Sequence, residues 1–392
     1  MKGLNTVFLF YVGLVLPPII GIVEYGKYAQ LFSLISVSTL IIVCGFPTLV
    51  MRVKNRLGDG ILRNNKIRMG LYGIQAMLFT IITIFVVITL LDNKSHYYFF
   101  VFCFSIFATV VIRNEKSLAI ADGSGLIGQM PELIVYPIIF SALIAFYGNE
   151  LTSFIVAAEW RLLSLLCAST ASIAIAVLFS NKKRTSSDSL LGAIKGADFL
   201  IVLLPVLGYQ CYAESITIVL SYSHSYEMTA NYDIAKRFGM LPILLIASFL
   251  TPSMRGVRMK YLQRTLKNSS EFLNLRRNSV VLVILASALS IFSAFLYQNI
   301  IMPDMQHIFE FTLIFCVSWT LICRSVVYLQ AALVCLSPQT ILRIYLSAFI
   351  LSLSLALVLL VIKRPEFIPY TTAFFIIYAS YVSKKKFNQT LI

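Results

Sequence analysis

Residues 341–362 read ILRIYLSAFILSLSLALVLLVI, and the one charge among them is Arg343, near the start. An α-helix needs about 20 apolar residues to cross the hydrocarbon layer of a membrane, so this stretch is long enough to span it. Similar segments fill most of the 392-residue chain, at 4–23, 28–51, 69–91, 97–112, 128–147, 162–180, 199–220, 232–251, 278–298, 308–334 and 367–382. The sequence therefore predicts an all-α polytopic membrane protein with about 12 transmembrane helices.

The composition agrees with a chain that lies mostly in lipid. The mean hydropathy is +0.85 and 12% of the residues are charged, which is too little to cover a soluble protein of 44.0 kDa. The formal net charge is +15, yet no nucleic-acid motif accompanies the basic residues. We therefore interpret the excess charge as a topology signal and expect no nucleic acid as a partner.

The basic residues alternate between the two sides of the predicted membrane. Of the 32 Lys and Arg residues, 24 fall at the termini or in even-numbered loops, and four fall in odd-numbered loops. Loops rich in Lys and Arg are retained in the cytoplasm. Both termini are therefore predicted to be cytoplasmic, in agreement with an even number of spans.

A hydrophilic break divides the spans six and six. It lies at 181–198 and contains the run Asn-Lys-Lys-Arg-Thr-Ser-Ser. We predict an N-terminal six-helix lobe at 1–180, a cytoplasmic linker at 181–198 and a C-terminal six-helix lobe at 199–392.

Similar short motifs occur at corresponding positions of the two halves. A Leu-Pro pair ends at Pro17 in the first span and at Pro205 in the seventh, and the next span of each half ends near Pro47 or Pro252. Six spans return the chain to its starting side, so a repeat of six predicts a pseudo-two-fold axis normal to the membrane. Pro17, Pro18 and Pro205 are hinge candidates, because a proline removes a backbone hydrogen bond. The alternative is that membrane helices simply tolerate these prolines.

Three stretches carry a resemblance to a known family. They are Glu24-Tyr25-Gly26-Lys27-Tyr28-Ala29, then Gly45-Phe46-Pro47-Thr48 with Arg52, and then Tyr226-Glu227 through Asn231-Tyr232-Asp233-Ile234-Ala235. With the twelve-span layout, they make the chain resemble the polysaccharide repeat-unit flippases of the O-antigen and capsule type. That family belongs to the multidrug/oligosaccharidyl-lipid/polysaccharide exporter superfamily.

The resemblance implies a function. Such a flippase moves an undecaprenyl-pyrophosphate-linked oligosaccharide from the cytoplasmic to the periplasmic leaflet of the bacterial inner membrane by alternating access. A sugar headgroup needs a polar path, since it loses its hydrogen bonds to water in hydrocarbon. We expect a monomer surrounded by membrane lipids, with a polymerase and a chain-length regulator as candidate partners. Coupling to an ion gradient is left open.

Charged residues inside the predicted spans are the candidate site residues, because they are costly in a membrane. Candidates for binding the anionic substrate are Arg324, deep in the tenth span, with Lys236, Arg237 and Arg52. Candidates for ion coupling are Glu214, Asp233 and Glu310. The alternatives are an internal Asp233–Arg237 pair on one helix face, a structural Glu214, and an Arg52 that reaches to the interface.

Two other functions are weighed against the flippase. An O-antigen polymerase or membrane glycosyltransferase would need acid–base residues on a long loop, and the outer loops are short. A multidrug exporter of the same superfamily would share the fold but favour an acidic cavity. The seven cysteines form no C-x-x-C pair, and no phosphate-loop or metal motif is present. We therefore expect a transporter with no catalytic residues, no metal and no cofactor.

Overall fold

A computed structural model describes residues 11, 13–43, 72, 73, 75–84, 96–121, 125–150, 153–179, 208–223, 225–250, 253–263, 265 and 269–390. Throughout these residues the regular structure is helical, as the apolar segments predict. The described residues divide into two compact units. The first unit contains residue 11 and those within 31–179, and the second contains 13–30 together with those within 208–390.

The helices are numbered in chain order. In the N-terminal half they are α1 (13–20), α2 (Ile22–Val43), α3 (Gln75–Ile84), α4 (His96–Ala121), α5 (Gly125–Met130), α6 (Tyr136–Tyr147) and α7 (Phe154–Phe179). In the C-terminal half they are α8 (Tyr209–Tyr222), α9 (Tyr226–Leu250), α10 (Met254–Leu262), α11 (Ser270–Leu296), α12 (Ile308–Leu321), α13 (Val326–Cys335), α14 (Pro338–Val361) and α15 (Tyr370–Thr390). One-turn π segments extend α11 and precede α6, at Tyr297–Ile301 and Pro131–Val135.

By length and apolar composition, six described helices are able to cross a membrane, and a seventh span arises if one bent pair is counted. That pair is α12 with α13, whose axes differ by 77°. The segment predicted as a span at 308–334 is therefore a bent pair of helices and not one straight helix. At the break the backbone changes to i→i−3 bonds, such as Ser325 N–H to the Ile322 carbonyl at 2.6 Å. Hydropathy detects polarity and cannot report such a bend.

The first unit is built around α4, α6 and α7. Small and apolar side chains of the three helices form its core, including Ala108, Tyr136 and Ala168. Polar contacts join α3 to α4, where the amides of Gln75 and Asn114 exchange hydrogen bonds of 3.3 and 2.7 Å. The unit therefore combines an apolar core with a buried neutral pair of amides.

The second unit packs α9 against α11 and α12. Trp319 on α12 donates from Nε1 to the carbonyl of Gly239 on α9 at 3.0 Å. A Cβ at Gly239 would lie 2.5 Å from the Phe315 ring, so only glycine permits this approach. On α8, the Tyr212 ring stacks on Phe375 at 4.6 Å. These contacts fix the positions of α8 and α9, which carry the site described next.

Residues 13–30 belong to the second unit, which the sequence did not indicate. A Cβ at Gly26 would lie 2.0 Å from the Tyr226 carbonyl oxygen, so α2 and α9 touch backbone to backbone there. Tyr297 also donates to the Leu14 carbonyl at 2.8 Å. The predicted linker at 181–198 lies outside the described residues, and the predicted lobe boundaries stay a prediction.

Candidate functional site: a buried ionic cluster

The first part of α9 places three charged side chains on one helix face. Asp233, Lys236 and Arg237 are three and four residues apart, which is the spacing of neighbours on a helix surface. Asp233 and Lys236 are each only 3% exposed. The sequence places these charges inside a predicted span, so the fold must satisfy them locally.

One carboxylate binds both cations. Asp233 Oδ1 lies 2.8 Å from Lys236 Nζ. Its other oxygen, Oδ2, accepts from Arg237 Nη2 at 2.9 Å and from Arg237 Nε at 3.1 Å. The internal Asp233–Arg237 pair that the sequence offered as an alternative is therefore present, and Lys236 shares it.

The neighbouring helix α8 adds a second carboxylate. Glu214 Oε2 lies 2.9 Å from Lys236 Nζ, and Thr217 Oγ1 on the same helix lies 3.2 Å from it. A lysine ammonium has three hydrogens to donate. With Asp233, Glu214 and Thr217 as acceptors, all three have partners, which is what a nearly inaccessible ammonium needs.

A tyrosine of α2 completes the cluster. The Tyr25 hydroxyl, which is fully buried, donates to Asp233 Oδ2 at 2.7 Å across 208 residues of sequence. On α1, a Cβ at Gly13 would lie 2.4 Å from Arg237 Cδ and Nε. Because Gly13 has no side chain, the Arg237 side chain can occupy this space.

Among the described residues, the charges of the cluster balance. Two carboxylates, Asp233 and Glu214, face two cations, Lys236 and Arg237, so the formal charges of these four side chains sum to zero. Its centre is dry while its ends are more open, since the Arg237 and Glu214 side chains are 20% and 17% exposed. A buried ion pair stabilises a protein little more than an apolar pair of similar size would. Removing one partner is strongly destabilising, because the other charge stays buried and unpaired. The arrangement can therefore hold α2, α8 and α9 together and respond strongly to any added charge.

The other predicted site residues lie elsewhere or outside the described residues. Glu310, at the start of α12, accepts from Tyr370 at 2.9 Å, and its side chain is 48% exposed. Arg324 lies at the break between α12 and α13, is exposed, and makes no hydrogen bond or ion pair with any described residue. Arg52 and Pro205 are not among the described residues. The roles assigned to these four residues stay predictions.

The two described hinge candidates lie in α1. Pro17 and Pro18 precede Gly21, where the chain leaves the helix with φ of +85° before α2 begins. The Gly21 N–H still donates to the Pro17 carbonyl at 2.9 Å. A positive φ is a conformation that glycine adopts at little cost. The break between α1 and α2 thus lies at the glycine, and the hinge role of the prolines remains a prediction.

Sequence reasoning missed Tyr25, Thr217 and Gly13 as parts of the site. Tyr25 lies inside one of the stretches that carry the family resemblance, and that was the available signal. Its contact with Asp233 depends on packing between helices far apart in sequence. Among the described residues, no group of three or more His, Cys, Asp or Glu side chains is placed to hold a metal ion.

No family model and no curated protein matches the sequence. Solved structures do match, over nearly the whole chain. An inward-facing multidrug resistance MATE family transporter of the MOP superfamily has a TM-score of 0.64 at 13% identity, over 97% of this chain and 95% of that one. A MATE in complex with MaL6 has a TM-score of 0.63 at 13% identity, over 99% and 94%. A mutant of the Vibrio cholerae MATE transporter VcmN has a TM-score of 0.50 at 12% identity, over 99% and 94%.

These likenesses establish the fold. The chain is an all-helical, multi-pass membrane protein with the fold of the MATE transporters, whose two lobes have six helices each. The predicted fold class is confirmed. At 13% identity the likeness concerns architecture, and the substrate is a separate question.

Proposed function

We propose that this protein is an alternating-access flippase for undecaprenyl-pyrophosphate-linked oligosaccharide. The observation that carries the proposal is the packing of two of the three stretches that resemble the polysaccharide flippases. Residues 24–29 and 226–235 meet in the second unit, where Tyr25 binds Asp233 and Lys27 Nζ lies 5.9 Å from the Tyr226 ring centre. The residues that carry two parts of the resemblance are therefore neighbours in the folded chain.

The fold supports the mode of action. One structural neighbour is described as the inward-facing conformation of a transporter, which implies that it has at least one other conformation. A headgroup rich in hydroxyls cannot cross hydrocarbon unaided, so a flippase must offer polar groups at membrane depth. The ionic cluster supplies buried polar groups on α8 and α9, which the sequence predicts to be the seventh and eighth spans.

The cluster suggests how its residues divide the work. Asp233 and Lys236 form its dry centre, while Arg237 and Glu214 are its more open ends. In the proposed mechanism Arg237 attracts the pyrophosphate, and Glu214 exchanges a proton or cation as the helices move. Because the charges sum to zero, a new charge at either end disturbs the balance and favours another arrangement.

The test is a deletion in the native host, followed by analysis of lipid-linked oligosaccharide in inverted and right-side-out membrane vesicles. We expect single repeat units to accumulate on the cytoplasmic leaflet. The wild-type gene should reverse the accumulation, and Arg237→Gln should reverse it poorly at equal protein level. Glu366→Gln is the matched control, because it removes a carboxylate that pairs with the exposed Arg364 and does not contact the cluster.

Other outcomes would change the assignment. Repeat units that reach the periplasmic leaflet but remain unpolymerised would indicate the polymerase instead. A normal distribution of repeat units, with increased sensitivity of the deletion strain to cationic drugs, would indicate a multidrug exporter. The likeness to a multidrug resistance transporter is the specific observation that favours this second candidate.

A further inference from the structure

A cleft lies between α10 and the start of α11, within the second unit and apart from the ionic cluster in sequence. Its volume is about 420 Å³. The α10 side presents Gly256 and Lys260, and the other side presents Ser269, Glu271, Asn274 and Asn278. Val257, Phe272 and Leu275 also line the cleft, so polar and apolar side chains share its walls.

The lining has the chemistry of a site for hydroxyl groups. Asn274 and Asn278 are one turn apart on α11, both are exposed, and neither side chain has a hydrogen-bond partner among the described residues. Each carboxamide carries two donor hydrogens and an acceptor oxygen. A sugar hydroxyl both donates and accepts hydrogen bonds. Two carboxamides that can do the same therefore suit a sugar better than they suit a bare ion.

The charges of the lining are already matched. Lys260 Nζ lies 2.6 Å from Glu271 Oε2 and donates to Ser269 Oγ at 3.1 Å. This pair leaves the lining neutral, which disfavours a strongly charged ligand inside the cleft. Arg258 and Arg277 are exposed, and each lies one residue away in sequence from a lining position, Val257 or Asn278, so they can attract a phosphate at the rim.

The surroundings fit a lipid-linked ligand. Met259 and Leu262 on α10 are 53% and 66% exposed, next to the exposed Arg258. A short helix that exposes apolar and basic side chains together is typical of the boundary between lipid and water. By the positive-inside rule, residues 252–277 belong to the cytoplasmic side. A ligand held here would therefore have its polar headgroup at the level where its lipid tail enters the bilayer.

We propose that this cleft binds the sugar headgroup of the lipid-linked oligosaccharide on the cytoplasmic side before translocation. The inference rests on the proposed function and adds a substrate-recognition site remote in sequence from the ionic cluster. The substrate would then be recognised at two sites. The cleft between α10 and α11 would bind the sugar, and the ionic cluster of α8 and α9 would bind the pyrophosphate.

Gly256 allows a direct test. A Cβ at this position would meet no atom within 4 Å, so a large side chain fills the cleft without displacing the backbone. Gly148, in the first unit, has equally open surroundings and serves as a matched control. The full-length protein and its Gly256→Trp and Gly148→Trp variants would be purified into nanodiscs, with thermal unfolding used to verify that all are folded.

Two lipids serve as probes. One is the undecaprenyl-pyrophosphate-linked oligosaccharide extracted from the deletion strain, and the other is undecaprenyl pyrophosphate without sugar. We expect Gly256→Trp to bind the sugar-carrying lipid at least about tenfold more weakly than wild type, because it removes several hydrogen bonds at once. Gly148→Trp should bind it as wild type does. The sugar-free lipid should bind to all three proteins alike.

A second variant tests the same site without adding a large side chain. Asn274→Leu combined with Asn278→Leu should weaken binding of the sugar-carrying lipid in the same direction. Binding equal to wild type in both this variant and Gly256→Trp would overturn the inference, as would a wild-type protein that does not distinguish the two lipids. A normal leaflet distribution in the deletion strain would instead show that the proposed function itself is wrong.

Discussion

The two units both bury polar side chains between helices, but they do so with different chemistry. In the first unit, Gln75 and Asn114 form a neutral pair in which each amide serves the other. In the second unit, four formal charges and a tyrosine share one cluster. Replacing both partners of a neutral pair with apolar residues lowers the free energy of unfolding only slightly. Removing one member of a charge cluster lowers it strongly, because a buried charge is left unpaired. The two sites therefore depend on different things: the Gln75–Asn114 pair needs both of its amides, and the ionic cluster needs its charges to balance.

The largest effect is expected from Asp233→Asn, which leaves Lys236 and Arg237 without their shared carboxylate. Removing one partner of a buried ion pair typically costs about 3–5 kcal/mol. We expect a large fall in the melting temperature of the purified protein, measured by the fluorescence of buried aromatic residues. Adding Lys236→Met to Asp233→Asn restores the charge balance and should recover part of the loss. A melting temperature unchanged by Asp233→Asn would contradict the cluster.

Tyr25→Phe should have the next largest effect. It removes a buried hydrogen bond to a carboxylate and leaves the ring packing intact, which corresponds to about 1.5–3 kcal/mol. The matched control is Tyr370→Phe, which removes a bond to the exposed carboxylate of Glu310. Thermal unfolding of both variants would measure the difference. Equal melting temperatures for the two would show that Tyr25 does not stabilise the cluster.

At the neutral pair of the first unit we expect a smaller loss of stability, and the losses from the two single changes should not add. Asn114→Leu alone leaves the buried Gln75 amide without a partner, at about 1–3 kcal/mol, whereas Asn114→Leu with Gln75→Leu should cost much less than the sum of the two single changes. A double-mutant cycle by thermal unfolding measures this coupling. Additive losses would mean that the two amides do not depend on each other.

The smallest effect is expected at the ion pair of Lys116 and Glu132 in the first unit. Its side chains are 22% and 24% exposed, so water screens the pair more than it screens Asp233. Lys116→Met should change the stability by about 0–1 kcal/mol. A loss as large as that of Asp233→Asn would remove the contrast between the units.

Part of the site was visible in the sequence. The four-residue spacing of Asp233 and Arg237 predicts an ion pair, because local helix geometry fixes which side chains are neighbours. Glu214 and Asp233 were identified as costly charges in apolar segments, but their common bond to Lys236 was not. That bond requires α8 and α9 to pack at one register, which no local pattern encodes.

The break in the tenth predicted span shows the same limit in the fold. Residues 308–334 are apolar enough to read as one helix, yet the chain bends by 77° after Leu321. Arg324 was predicted to lie deep in the tenth span, and the structure places it at the bend within that segment. Hydropathy sums side-chain polarity over a window and carries no information on backbone direction, so it locates an apolar segment without giving its path.

The sequence by itself determined that the chain is helical and membrane-embedded, because only helices satisfy every backbone group within a long apolar segment. It also determined which charges would be costly there. The tertiary structure decided that residues 13–30 pack with the C-terminal half, that Tyr25 reaches Asp233, and that α12 and α13 bend apart. Hydropathy and helix periodicity are local properties of the chain, whereas a contact across 208 residues depends on how all the intervening helices pack.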